Sequence, residues 1–479
     1  MKRYPLIEEI DTSLSAPEAF ELFQGELYSF FLDGGMDPQR LGRYSFIGSD
    51  PFLVMRSRGS EIVLVQQGKR EIEQGDPFDI LGKLLEMYKL DSLAPIPFCG
   101  GAVGYLSYDL CHFVENLPSM AIDDLKLPEI YFAFYDTILA FDNLGSKAYI
   151  ISTGFPELSD SQRLRRAKAR LDQMRNRFSL SSISIPEVDF YGVKGKTEAV
   201  LKSNFTPDAY IKTVGRVREY IAAGDIFQVN LSQRFETDLS ISPYELYRHL
   251  RQVNPAPFAS YLNFEGVTIV GASPERFLRV DGDWVETRPI KGTRPRGKDS
   301  VEDAVLAQEL THSIKDRAEN VMIVDLERND LGRVCRYGTV EVTELAILET
   351  FPSVFHLTST VIGRLRSNTK RLDLLKATFP GGSITGAPKV RAMEIIDELE
   401  PTRRSVYTGA IGYLGFNSNL DLNIVIRTFL IKDGKAYFQV GGGIVYDSDP
   451  EAEYLETLDK AKALIQALHL APRVAVEVR

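Results

Sequence analysis

Asp316 and Glu319 lie three residues apart in a stretch patterned as a helix, and Glu453 and Glu456 repeat that spacing near the C-terminal end. That spacing puts each pair on one helix face. Two such helices, face to face, would offer oxygen ligands to a hard cation such as Mg²⁺, which keeps waters and takes substrate oxygens as further ligands. Lys460 stands one turn beyond Glu456. Solvated helix surfaces carry the same acidic pairs, so both readings remain open.

A glycine-rich run, Phe379-Pro380-Gly381-Gly382-Ser383-Ile384-Thr385-Gly386-Ala387-Pro388-Lys389, feeds an apolar-periodic helix. Backbone N–H groups at such a junction, including those of Gly382 and Ser383, suit a carboxylate or phosphate. The spacing matches neither a Walker loop nor a dinucleotide fingerprint, and a plain tight turn would look the same. Gly441-Gly442-Gly443 follow the strand-like Tyr437-Phe438-Gln439-Val440. They permit backbone to approach a ligand, or form a bulge. In Thr287-Arg288-Pro289-Ile290-Lys291-Gly292-Thr293-Arg294-Pro295-Arg296 a lysine stands among three arginines. Like charges would lower its pKa, as an amine nucleophile requires, unless the run is a solvated basic loop. Glu275, in Ser273-Pro274-Glu275-Arg276-Phe277, ends an apolar strand. Desolvated, it would hold a proton and act as a general acid; a surface ion pair is the alternative.

These groups must be positioned by a chain of 479 residues with 44% hydrophobic content, ample for a core, and a formal charge of −10. That charge argues against a nucleic-acid surface. It also means that any anionic substrate needs local cations or a metal. Cys99, Cys111 and Cys335 are scattered, which fits a reducing, cytoplasmic setting without disulfides. No signal peptide and no membrane span are expected.

Residues 1–180 contain many short strand-like runs and then a charged helical stretch, Arg163 to Arg177. Residues 181–204 read as a linker, and 205–470 as a second region. The second region opens on a helix capped by Thr206 with Pro207 in its first turn. Hairpins are predicted at Asp281-Gly282 and Asp433-Gly434. Long helices are predicted over about 301–322, opened by a capping box at Ser300, and over about 450–468. Strands and long helices without βα alternation favour an α+β sandwich.

Taken together and in order, these motifs resemble those of the chorismate-binding enzymes. The resemblance rests on Leu41-Gly42-Arg43-Tyr44-Ser45-Phe46-Ile47-Gly48, Gly100-Gly101-Ala102-Val103-Gly104-Tyr105, Gly271-Ala272-Ser273-Pro274-Glu275, Val324-Asp325-Leu326-Glu327-Arg328-Asn329-Asp330-Leu331 and the run from Gly386 to Pro401. It implies a large two-lobed β-sandwich with outer helices. It also implies roles: Glu319 and Glu456 as principal Mg²⁺ ligands with Asp316 and Glu453 in support, and Arg427, Tyr407 and Gly441–Gly443 around the enolpyruvyl carboxylate. Lys460 would add positive charge, His356 and Thr385 would sit beside the ring, and Glu275 would protonate the departing 4-hydroxyl.

Within that family, Gln228 occupies the place where isochorismate and salicylate synthases resemble one another in a water-activating lysine, so water addition is disfavoured. Pro289-Ile290-Lys291-Gly292-Thr293 resembles the aminodeoxychorismate synthases, where anthranilate synthases read Pro-Ile-Ala-Gly-Thr. The branch it resembles converts chorismate to 4-amino-4-deoxychorismate, feeding 4-aminobenzoate and folate. Ammonia would come from a glutamine amidotransferase partner, since no glutaminase cysteine is recognisable here. The runner-up is anthranilate formation for tryptophan synthesis. Arg43-Tyr44-Ser45-Phe46 and Asn254-Pro255-Ala256-Pro257-Phe258 resemble walls of the family's tryptophan pocket, although Leu32-Asp33-Gly34 departs from the Leu-Glu-Ser of its regulated members.

Overall fold

The chain's computed structural model describes residues 2–91, 95–179, 201–352, 354–468 and 476–478. Among these, 13 strands form one sheet and 12 a second, almost entirely antiparallel. The α+β class expected from the element pattern is what is found. Strand after strand alternates its side chains between two compartments, as the period of two requires. Phe30, Phe46, Ile138, Leu262 and Ile269 point into the core between the sheets, where they meet Met55, Val103, Leu278 and Ile411 of the other sheet. Their neighbours Phe31, Ile47, Leu139, Tyr261 and Val270 face outward and are covered by helices. Those helices are Ala16–Phe20, Asp160–Ser179, Pro243–Val253 and Pro450–Ala467.

Both sheets draw strands from either side of residues 181–204. In the larger, Ser29–Asp33 pairs with Phe258–Phe264. In the smaller, Gly101–Leu106 pairs with Ala410–Gly415. Of the expected linker, 181–200 lie outside the described residues, while Leu201–Ser203 form a strand paired with Gln228–Asp238. No described helix is long and apolar enough to cross a membrane.

Local rules account for the elements around the site. Thr206 accepts the Ala209 N–H and starts helix Pro207–Ala222. The hairpins form at Asp281-Gly282 and Asp433-Gly434, with Gly282 and Gly434 at positive φ. The single helix predicted over 301–322 is instead two, Ser300–His312 and Ile314–Gly332, broken at Ser313. Ser313 accepts the Asp316 N–H and so caps the second. The first is capped by Asp299, which accepts from Val301 and Glu302, rather than by a box at Ser300. Ile314–Gly332 packs on strand Val354–Arg364 of the smaller sheet, and Pro450–Ala467 on strand Lys435–Ile444 of the larger. Each acidic pair is thereby brought to one strand end.

Candidate active site

Strand Ile290–Pro295 pairs with Val354–Arg364, and its register shifts between Ile290 and Thr293. A bulge of this kind re-aims a side chain. Lys291 Nζ lies 3.3 Å from where a Cβ on Gly443 would stand. Burial lowers the lysine's pKa and the Lys460 charge adds to this, while Glu319, Glu275 and Glu456 oppose it. The three arginines, expected to lower it as like charges, are not the cause. Arg288 is paired with Glu349, Arg294 with Asp316, and Arg296 with Asp303.

Glu275 is 4% exposed, and its Oε1 accepts the Ile290 N–H at 3.3 Å. Burial pushes its pKa up to about 7; a Ser383 hydrogen bond, the Ile290 N–H and the charges of Lys291 and Arg427 hold it from rising further. Acid and amine are thus adjacent, with the acid tuned toward protonation and the amine toward neutrality. His356 shares a 2.8 Å hydrogen bond between its Nδ1 and Thr293 Oγ1. Burial first, then the charge of Arg427, pushes it down to about 3, so it is neutral. Its Nε2 is buried without a hydrogen-bond partner among the described residues. Arg427 takes up φ 51° and donates from Nη1 to Asn254 Oδ1 at 3.3 Å.

The glycines 441–443 sit within strand Lys435–Ile444, opposite Ser232, Leu231 and Asn230. A Cβ on Gly442 would lie 3.3 Å from Glu453 Oε2, 3.6 Å from Glu456 Oε1 and 3.7 Å from Lys460 Nζ. One on Gly443 would lie 2.1 Å from Gln228 Nε2. The glycine backbone therefore forms the floor between the acidic helix and Lys291. Burial raises the pKa of Glu319 and of Glu453, and Glu453 and Asp316 add repulsion at Glu319, as Glu456 does at Glu453. Glu456 is lowered instead, chiefly by Lys460. Asp316 is held by Arg294 at 3.1 Å while its charge still acts on Glu319. Among the described residues no three His, Cys, Asp or Glu side chains are drawn into a ready-made ligand cluster.

The loop of Gly382 and Ser383 is braced by groups the sequence reading did not single out. Glu327 accepts the Gly382 N–H at 2.9 Å. Lys389 pairs with Asp330 and donates to Thr378 O at 3.0 Å and Pro380 O at 2.9 Å. Thr385 turns its hydroxyl back to Gly381 O at 3.0 Å. Arg404, paired with Glu400 at 2.7 Å and fully buried, donates to Ile384 O at 2.9 Å and packs beside Tyr407. Nothing in the sequence reading singled out Arg404 and Glu400; the flanking apolar Ile395, Ile396 and Val406, all buried, are the signal that could have found them.

A separate cavity of about 410 Å³ lies between the two halves of the chain. Arg43, Tyr44 and Phe46 line it, with Pro257, Phe258 and Arg276 opposite. Ser45, Asn254 and Pro255 do not form its wall. Ser45 Oγ accepts from Gly34 and Asn143, and Asn254 bridges Arg427 and Ala272 O.

A family model described as chorismate binding enzyme matches residues 31–466. Aminodeoxychorismate synthase component 1 of Bacillus subtilis (strain 168) is 42% identical over 437 residues, 91% of this chain and 91% of that protein. Anthranilate synthase component 1 of Acetivibrio thermocellus is 41% identical over 478 residues, 98% of this chain and 96% of that one. The crystal structure of anthranilate synthase component I from Streptococcus pneumoniae TIGR4 matches with a TM-score of 0.75 at 36% identity, covering 88% of this chain and 91% of that chain. The chain belongs to the chorismate-binding enzyme family, as its motifs implied, and is a chorismate-utilising enzyme.

Proposed function

We propose that this enzyme converts chorismate to 4-amino-4-deoxychorismate. The observation that carries the reading is Lys291, a half-buried amine with lowered pKa beside the raised acid Glu275. Neutral Lys291 attacks ring C2 as both ring double bonds shift along the ring and the C4–O bond breaks. Glu275 gives its proton to the departing hydroxyl, which leaves as water. Ammonia then forms the C4–N bond, both double bonds shift back, the lysine is expelled from C2 as the neutral amine, and the proton released at nitrogen returns to Glu275. The enolpyruvyl group is untouched. Gln228, a neutral amide beside Gly443, is no base for water addition.

Mg²⁺ is part of the proposal. Glu319, Glu453 and Glu456 offer the hard oxygen donors it prefers, and their mutual repulsion is what a divalent cation relieves. When bound, it would neutralise the ring carboxylate. Arg427, Tyr407 and the Gly441–Gly443 backbone are assigned to the enolpyruvyl carboxylate, and His356 and Thr385 to the ring's surroundings. Ammonia is assigned to a glutamine amidotransferase partner, in keeping with relatives named as component 1. The 410 Å³ cavity is assigned to tryptophan, and a calorimetric titration without heat would remove that assignment.

A second reading, anthranilate formation, has in its favour the 41% identity over 98% of the chain to an anthranilate synthase component 1. The deciding experiment is to incubate the purified chain with chorismate, Mg²⁺ and ammonium and identify the product by mass. 4-Amino-4-deoxychorismate with pyruvate retained supports the first reading; anthranilate with free pyruvate overturns it. Lys291→Ala should lose amination by roughly a hundredfold or more while still binding chorismate. Unchanged turnover would remove the covalent step. Glutamine used by the purified chain alone would remove the partner.

A further inference from the structure

Glu327 is a buried acid that the chemistry above leaves unused. It projects from helix Ile314–Gly332 and is 2% exposed. Its Oε1 accepts the Gly382 N–H at 2.9 Å, while its Oε2 is buried with no hydrogen-bond partner among the described residues. Lys389 lies close enough to act on its charge, but its ammonium is engaged by Asp330, Thr378 O and Pro380 O. A buried carboxyl with an orphan oxygen is a cost that an apolar residue of similar size would avoid.

What Glu327 touches leads directly to the acid. Gly382 is followed by Ser383, whose hydroxyl hydrogen-bonds the Glu275 carboxylate. Gly382 has no slack to move toward the helix. A Cβ there would meet Leu326 Cδ2 at 2.7 Å and Glu327 Oε1 at 3.0 Å. Glu275 in turn accepts the N–H of Ile290, the residue before Lys291. One chain of contacts therefore runs Glu327, Gly382, Ser383, Glu275, Ile290.

We propose that Glu327 is a positioning residue for Glu275: it fixes the Gly382–Ser383 turn so that Ser383 meets the acid, and it sets a second carboxyl in the same buried compartment. The inference rests on reading Glu275 as the acid of the reaction. Its electrostatic side follows from the groups present. Lys291 and Arg427 face Glu275; Lys389, Asp330 and Glu275 itself face Glu327. Ser383 and the Ile290 N–H, both hydrogen-bonded to Glu275, favour its ionised form, and the charge of Glu275 in turn holds the proton on Glu327. A Gly382–Ser383 turn that slackens therefore raises Glu275 further.

The test uses the full chain, Mg²⁺ and ammonium, and follows chorismate consumption, which serves either product. Ser383→Ala removes a hydrogen bond that favours ionised Glu275 and should move the alkaline limb of the kcat profile up by about one pH unit. Glu327→Leu removes the acceptor of the Gly382 N–H and should move the same limb the same way, with the KM for chorismate within about twofold. Glu327→Gln keeps that oxygen and should leave the limb in place. A limb unmoved by Glu327→Leu, or moved equally by Glu327→Gln, would overturn the proposal, even if kcat fell. Glu275→Gln separates the two layers. If it is inactive while the Glu327→Leu profile stays put, this inference alone fails; if it is fully active, the acid assignment fails and takes the inference with it.

Discussion

Lys460 Nζ lies 2.7 Å from Glu456 Oε1, one turn away on the same helix, and also donates to Gly441 O at 2.8 Å. The lysine therefore holds a proposed metal ligand against the glycine floor of the site. A cation binding at Glu456 has to displace or share this ion pair. Glu456→Gln is expected to raise the Mg²⁺ concentration needed for half-maximal activity by about tenfold. A Mg²⁺ titration of turnover checks this, and an unchanged titration would remove Glu456 from the ligand set.

The acid chemistry predicts a pH profile. Glu275 is held up at about 7, so its proton is present below that value and lost above it. With ammonium kept saturating, kcat should fall as pH rises through about 7, and Glu275→Gln should lose roughly 10²-fold of turnover or more. A profile flat from pH 6 to 9 would argue that another group supplies the proton.

His356 predicts a stability effect of opposite sense. Its pKa is near 3 in the folded chain against 6.5 as its ordinary value. Below 6.5 the unfolded chain binds the extra proton and the folded chain does not, so stability is lost as pH falls from 6.5 toward 3. At pH 5 the loss should be about 2 kcal/mol. Thermal melts of the chain and of His356→Asn at pH 5 and 7.5 measure it. The variant should lack this share of the acid destabilisation.

Gly443→Ala places a methyl group 2.1 Å from Gln228 Nε2 and 3.3 Å from Lys291 Nζ. Gln228 can yield at its side-chain end, so the fold should survive with a Tm within a few degrees. Turnover should fall about tenfold because the lysine is displaced. Equal turnover would mean that Lys291 does not work beside Gly443.

Much of the site was legible because its members come in short, local patterns. Glu319, Glu453, Glu456 and Lys460 are set by helical spacing, and Lys291 and Glu275 by neighbouring strand ends. What was not legible depends on long-range packing. Nothing in Arg288, Arg294 and Arg296 says that each is neutralised by Glu349, Asp316 or Asp303, so burial rather than like charge turned out to tune Lys291. Glu327 lies in a motif quoted for resemblance, but its orphan oxygen exists only once Gly382 is folded against it. The break at Ser313 did have a local signal. Ser313-Ile314-Lys315-Asp316 is a helix start in its own right, which the reading of one helix over about 301–322 passed over.

The shared sheets have a consequence for how the protein is made. During synthesis, Ser29–Asp33 and Gly101–Leu106 leave the ribosome long before Phe258–Phe264 and Ala410–Gly415, the strands that flank them in the finished molecule. Until those partners arrive, each has one row of backbone donors and acceptors open to any passing strand. The nascent first half is therefore a natural client for chaperones, and a gene truncated before residue 410 should yield aggregate rather than a stable fragment.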